Sequence, residues 1–210
     1  MGFAKALQIK KGITAIIGSG GKTSLILTLA NELCSQGVSV ILCTSTRIFP
    51  PEGIPFFQRL QQRKAGICCV GTPAEQGKIG SPLQTFEELC QYGDYVLVEA
   101  DGSKHLPLKA HDSYEPVIPQ NCGLVILVVG ASGIDMAVSE VVHRPHIFTT
   151  LTDSQIATAE AVAMVLEKEN LGDRIFINQA DLAPEKAMRL KTLLSKPCVI
   201  GSVMKGDILC

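Results

Sequence analysis

Seven runs of aliphatic and β-branched residues punctuate the chain: Ile13–Ile17, Val38–Cys43, Ile67–Val70, Tyr95–Ala100, Leu124–Val129, Ile175–Asn178 and Cys198–Ser202. They are apolar throughout instead of alternating, the pattern of strands covered on both faces. Helical periodicity fills three of the intervals. One helix starts at Lys22, runs through Leu25, Leu29 and Leu33, and stops before Gly37, a residue type that closes helices in the left-handed conformation. A second is expected to open with Thr152-Asp153-Ser154-Gln155, read as a capping box, and to end near Gly172. A third begins around Pro184, where a missing N–H costs nothing, and continues to about Leu194. The pattern predicts an α/β, three-layer architecture with a mainly parallel sheet and helices on both faces. Segments 47–66, 71–84 and 102–121 hold most of the prolines and read as loops projecting from one end of the sheet.

Composition narrows the functional classes. No repeat or low-complexity tract divides the 210 residues, which predicts a single domain over 1–210. Nineteen basic against twenty acidic side chains leave a net charge of -1, so no general attraction to nucleic acid or an anionic membrane is expected. The longest apolar stretch, Leu124–Val129, is far short of a membrane span, the first twelve residues lack the apolar core of a secretory signal, and Ala6 breaks the myristoylation pattern after Gly2. A cytoplasmic protein is the expectation. Eight cysteines (34, 43, 68, 69, 90, 122, 198 and 210) contain no C-x-x-C pair and read mostly as small buried hydrophobes, with the vicinal Cys68-Cys69 leaving open a thiol role in handling sulfur or selenium.

The sharpest local signal is Gly18-Ser19-Gly20-Gly21-Lys22-Thr23-Ser24, between the first strand and the first helix. A phosphate-binding loop needs glycines because its backbone amides must point at anionic oxygens without a Cβ in the way. Lys22 would reach the terminal phosphates and the Thr23 hydroxyl would hold Mg²⁺. The turn is two residues shorter than G-x-x-x-x-G-K-[ST] and reads G-x-x-G-K-[ST], a contraction that also resembles the loops of Mur-type ligases. The alternative is a glycine-rich turn with an incidental solvated lysine.

Two further strand ends carry candidate chemistry. Tyr95 to Gly102 ends in Glu99 and Asp101, which would share one face of a strand; Asp101 is the candidate metal carboxylate and Glu99 the candidate for positioning an attacking water. An acidic loop start is the alternative. Asn178-Gln179-Ala180-Asp181 looks like the N-K-x-D motif of GTPases, in which the Asp carboxylate accepts two hydrogen bonds from guanine. Gln179 replaces the lysine, and Asn and Asp also serve as ordinary turn residues. Thr44-Ser45-Thr46-Arg47 offers hydroxyls and a catalytic cation, Arg47, for a γ-phosphate or substrate, while Lys104-His105, Lys109 and His111 could form a basic rim for an anionic ligand or a solvated loop. His143 and His146 flank a proline, which argues against a helical metal pair.

Taken in order, the glycine loop, Val98 to Lys104 continuing through Pro107-Leu108-Lys109-Ala110, Glu115-Pro116-Val117-Ile118-Pro119, Val142-His143-Arg144-Pro145 and Asn178 to Asp181 resemble the YqeC family across nearly the whole chain. Its members are described as selenium-dependent hydroxylase accessory proteins and selenium cofactor biosynthesis proteins. The resemblance implies a maturation factor for molybdenum hydroxylases with a labile selenium, so that a hydroxylase or its cofactor becomes a candidate partner. Three readings follow: an Mg²⁺-dependent P-loop nucleoside triphosphatase, GTP favoured over ATP; a small-molecule kinase or Mur-ligase-like enzyme; and a non-hydrolysing, nucleotide-gated binding module.

Overall fold

The structure is a computed structural model and describes residues 2–209; the Cys210 thiol lies outside them. In chain order the elements are α1 (Phe3–Ala6), β1 (Gly12–Gly18), α2 (Lys22–Cys34), β2 (Val40–Thr44), β3 (Phe56–Phe57), β4 (Ile67–Val70), β5 (Thr72–Pro73), β6 (Ile79–Gly80), α3 (Phe86–Leu89), β7 (Tyr95–Glu99), β8 (Leu108–Lys109) and β9 (Leu124–Gly130). They continue with α4 (Val138–Val141), β10 (Val142–His143), α5 (Pro145–Thr152), α6 (Ala159–Glu169), β11 (Arg174–Asn178), α7 (Pro184–Leu193), β12 (Cys198–Ser202) and β13 (Asp207–Ile208). Nine strands belong to one mainly parallel sheet, an α/β fold. All seven apolar runs are strands of it, because continuous burial suits β2, β7, β9 and β11, each buried at nearly every position.

The chain divides into two compact units. The first comprises residues 1–16, 25–102 and 117–125. Its strands run in the order β1-β7-β2-β4-β3, all pairings being parallel. At its amino-terminal edge Asp94 accepts hydrogen bonds from the Ser39 amide at 3.0 Å, from Lys11 at 3.0 Å and from Arg63, and this company, led by the Ser39 bond, holds the carboxyl well below the usual range. Cys43, Cys68 and Cys69 are buried in this unit, and burial pushes the Cys68 thiol up to about 11 and that of Cys69 to about 12. Thiols so placed behave as packing groups instead of nucleophiles.

The second unit comprises residues 17–24, 103–116 and 126–210. Here β9, β11 and β12 are parallel and β13 pairs antiparallel with β12. The expected helix from Thr152 is corrected. The Thr152 hydroxyl donates back to the Phe148 carbonyl at 2.8 Å, closing α5, and Asp153 follows in the left-handed conformation. The next helix starts only at Ala159, where the Thr158 hydroxyl accepts the Ala161 amide at 3.1 Å. A capping box forms instead at Thr85–Glu88. Among the described residues no helix is long and apolar enough to cross a membrane.

Candidate functional site

The glycine loop belongs to the second unit and leads into the thirteen-residue helix α2, whose amino end carries partial positive charge. Gly18, Gly20 and Gly21 have φ of 89°, 86° and 114°, values that L side chains rarely adopt. Packing adds a second constraint at Gly20, where a Cβ would lie 2.4 Å from the Gly130 nitrogen and 2.8 Å from the Pro107 carbonyl oxygen. The amides of Gly20 and Gly21 make no hydrogen bond among the described residues. The Ser19 donors are committed: its amide bonds the Val128 carbonyl at 2.9 Å and its hydroxyl the Leu106 carbonyl.

Lys22 is 3% exposed. Its ammonium donates to the Gly18 carbonyl at 2.8 Å and to the Ser103 hydroxyl at 3.1 Å, so it curls back over its own loop. Thr23 is exposed and Ser24 half-buried, which leaves the outer side of the turn open to a ligand. A cavity of about 10 Å³ adjoins Gly18 and Ser19 among Lys109, His111 and apolar side chains of β9, α5 and α6. It holds at most about one water and is too small for a phosphate.

Asn178 supports the loop. Its side-chain nitrogen donates to the Gly20 carbonyl at 2.8 Å and its oxygen accepts the Val203 amide at 3.0 Å, so both ends of the carboxamide tie loop to scaffold. Gln179 has φ 63° and its oxygen accepts the Ser132 hydroxyl at 2.7 Å. Asp181 is exposed and makes no hydrogen bond among the described residues.

Glu99, Asp101 and the Thr44–Arg47 segment lie in the first unit. Strand β7 ends at Glu99, so Asp101 falls beyond the pleat and the expectation that alternation places both carboxylates on one face does not apply. Both are buried, Asp101 completely. Thr44 pairs with Glu99 across β2 and β7 and its hydroxyl donates to the Glu99 carbonyl at 2.7 Å. Arg47 is exposed three residues past the end of β2.

A second cluster is assembled in the second unit by the short parallel pair β8/β10, which sets Lys109 beside His143; Lys109 and His111, expected as part of a basic rim or a solvated loop, are instead buried. Lys109 bonds Glu115 at 2.9 Å, and Arg144 bonds the same carboxylate at 3.0 Å and Asp112 at 3.4 Å. Burial opposes the Glu115 charge, but the bonds from Arg144 and Lys109 outweigh it and keep the carboxyl below its usual range. His111 is clamped by Glu169 through its amide at 2.7 Å and its Nδ1 at 2.7 Å. No local pattern announces this network, because two-residue strands carry no periodicity.

Burial first, then Lys109 and Arg144, hold His143 below the ordinary imidazole value of 6.5. Below that value the unfolded chain takes up a proton that the folded protein resists, so stability falls as pH drops from 6.5 towards the folded value, and is unaffected above it. The expected result is that His143→Asn flattens the decline of Tm between pH 6.5 and 5; an unchanged slope would contradict the assignment. The imidazole is half-exposed, so the effect is modest.

No group of three or more His, Cys, Asp or Glu side chains among the described residues is placed to hold a metal by itself. A magnesium ion here would therefore share its coordination with phosphate oxygens and water, as that ion commonly does.

Two comparisons bear on the assembled site. The family model described as YqeC protein matches residues 14–146, a span that contains the glycine loop, Glu99, Asp101 and the Lys109–Glu115–Arg144 network but stops before Asn178. "Uncharacterized protein YqeC" of Escherichia coli (strain K12) is 33% identical over 178 residues, which cover 75% of this chain and 69% of the relative. On both grounds, the chain belongs to the YqeC family.

Proposed function

We propose that the protein is a P-loop, three-layer nucleoside triphosphatase, Mg²⁺-dependent and favouring GTP over ATP, that serves as an accessory factor in the maturation of selenium-dependent molybdenum hydroxylases. The observation that carries the nucleotide half is the turn at residues 18–22. Its glycines hold positive φ, two successive amides make no bond among the described residues, and a buried ammonium waits beside them at a helix amino end. Such a turn suits a polyphosphate, since amide dipoles and the helix end favour negative charge there. A Cβ at Gly18, Gly20 or Gly21 would strike Val128, Gly130 or Asn178, so only glycine lets the turn keep this shape against its scaffold.

The loop residues divide the work in this reading. The Gly20 and Gly21 amides bind phosphate oxygens, Lys22 leaves the Gly18 carbonyl to neutralise the terminal phosphates, and Thr23 would help to hold the metal. Magnesium, when bound, supplies charge neutralisation across the β- and γ-phosphates. Asn178 holds the loop in shape, and Asp181, exposed and uncommitted, is available to accept from the N1 and N2 groups of guanine. The maturation half rests on family membership and the order of its motifs.

Calorimetric titration with GTP and ATP, each with and without Mg²⁺, tests the reading. The expected result is binding strengthened about tenfold or more by Mg²⁺, equal to about 1.4 kcal/mol, with GTP tighter. Absence of heat with either nucleotide would refute the nucleotide half.

A further inference from the structure

The segment after Gly102 is held at both its flanks by three bonds, two to the phosphate loop and one to the end of β9. Lys22 donates to the Ser103 hydroxyl at 3.1 Å, the Ser19 hydroxyl donates to the Leu106 carbonyl, and the Gly130 amide donates to the Pro107 carbonyl at 2.9 Å. Between these anchors the Leu106 amide returns to the Ser103 carbonyl at 3.1 Å, making a tight turn with Lys104 and His105 at its centre. Both have positive φ, 49° and 62°, the pattern of a type I′ turn, in which Gly, Asn and Asp are favoured.

A lysine in the left-handed region is strained, and such strain persists where the surroundings impose it. Here two of the three imposing contacts come from the phosphate loop, through Ser19 and Lys22. Nearby cations are already committed, Lys109 and Arg144 to Glu115 and Lys22 to Gly18 and Ser103. Lys104 is exposed and makes neither a hydrogen bond nor an ion pair among the described residues. Its stem starts one residue from the hydroxyl that holds the Lys22 ammonium.

We infer that Lys104, presented by this strained turn beside the phosphate loop, contacts the terminal phosphate of a bound nucleoside triphosphate and is a catalytic residue of phosphoryl transfer. The inference rests on the nucleotide reading above. In hydrolysis a water oxygen bonds to the γ-phosphorus while the bond from that phosphorus to the β,γ-bridging oxygen breaks. The electron pair leaves with the diphosphate and the water proton passes to the released phosphate. The Lys104 side chain opposes the charge on the equatorial oxygens, as a cation supplied in cis can.

The test compares β,γ-imido triphosphates with the diphosphates of guanosine and adenosine, in Mg²⁺, for the wild type, Lys104→Ala, Lys104→Arg and Lys104→Gly. Lys104→Ala is expected to weaken triphosphate binding roughly 10-fold, the worth of one charged hydrogen bond, and to leave diphosphate binding within about twofold. Lys104→Arg is expected to retain the preference. Lys104→Gly should lose it while melting at or above the wild-type temperature, which separates contact from fold. A triphosphate-to-diphosphate ratio unchanged in Lys104→Ala, with wild type binding both, overturns this inference alone. Wild type that binds neither overturns the nucleotide reading and the inference with it.

Discussion

Replacing Lys22 is expected to separate binding from folding. The ammonium is buried against the Gly18 carbonyl and the Ser103 hydroxyl, so Lys22→Ala removes those two bonds as well as the phosphate contact. Lys22→Met loses the same two bonds and the charge but keeps the apolar stem and its packing. A buried ammonium has given up its hydration, and removing it recovers that cost against the two bonds lost to the Gly18 carbonyl and the Ser103 hydroxyl. Lys22→Met should therefore melt near the wild-type temperature. Its affinity for a Mg²⁺-bound triphosphate should fall about 10–100-fold, since a hydrogen bond to a charged group contributes about 1.5–3 kcal/mol. Thermal melting and calorimetry on the same sample read the two effects. Undiminished affinity in a well-folded Lys22→Met protein would contradict the role given to this residue.

Gly20→Ala is expected to act on fold and ligand together. The new methyl would stand 2.4 Å from the Gly130 nitrogen and 2.5 Å from its Cα, both backbone atoms that cannot rotate aside. Left-handed strain costs about 1–2 kcal/mol and forced overpacking typically about 1–3 kcal/mol, a total of about 2–5 kcal/mol. For a chain of this size the melting temperature should drop by roughly 5–20 °C. Gly77→Ala is the control: its φ is 71° but nothing lies within 4 Å of the added Cβ, so only the strain remains. Equal losses in the two variants would show that packing against Gly130 does not constrain the loop.

The sheet was legible because its signal is strong and local. A run such as Ile67–Val70 has no polar face, so burial between layers leaves it few alternatives, and it forms β4 at those residues. Helix ends were less legible. Thr152 and Thr158 are chemically the same group, yet one bonds backwards to Phe148 and terminates α5 while the other bonds forwards to Ala161 and starts α6. Which direction a hydroxyl takes depends on the backbone around it, and sequence spacing alone does not fix that.

The candidate site divides in the same manner. Gly18 to Ser24 could be read from its glycines, because positive φ restricts residue type directly. Asn178 was visible as a motif residue, but its carboxamide reaches the Gly20 carbonyl, 158 positions away in the chain. The Lys109–Glu115–Arg144 network depends on the β8/β10 pair, two residues a side, too short for any period to appear. Likewise the left-handed Lys104 follows from anchors on either side of it and from nothing in its own residue type.

The most direct test of the account is the ¹H–¹⁵N spectrum of the protein, with the Gly20 and Gly21 amides assigned, recorded as Mg²⁺ and a non-hydrolysable triphosphate are added. The account predicts that these two amides move to low field and gain protection from exchange, as donors do when they acquire an anionic acceptor. Saturating ligand that leaves both resonances in place would contradict it.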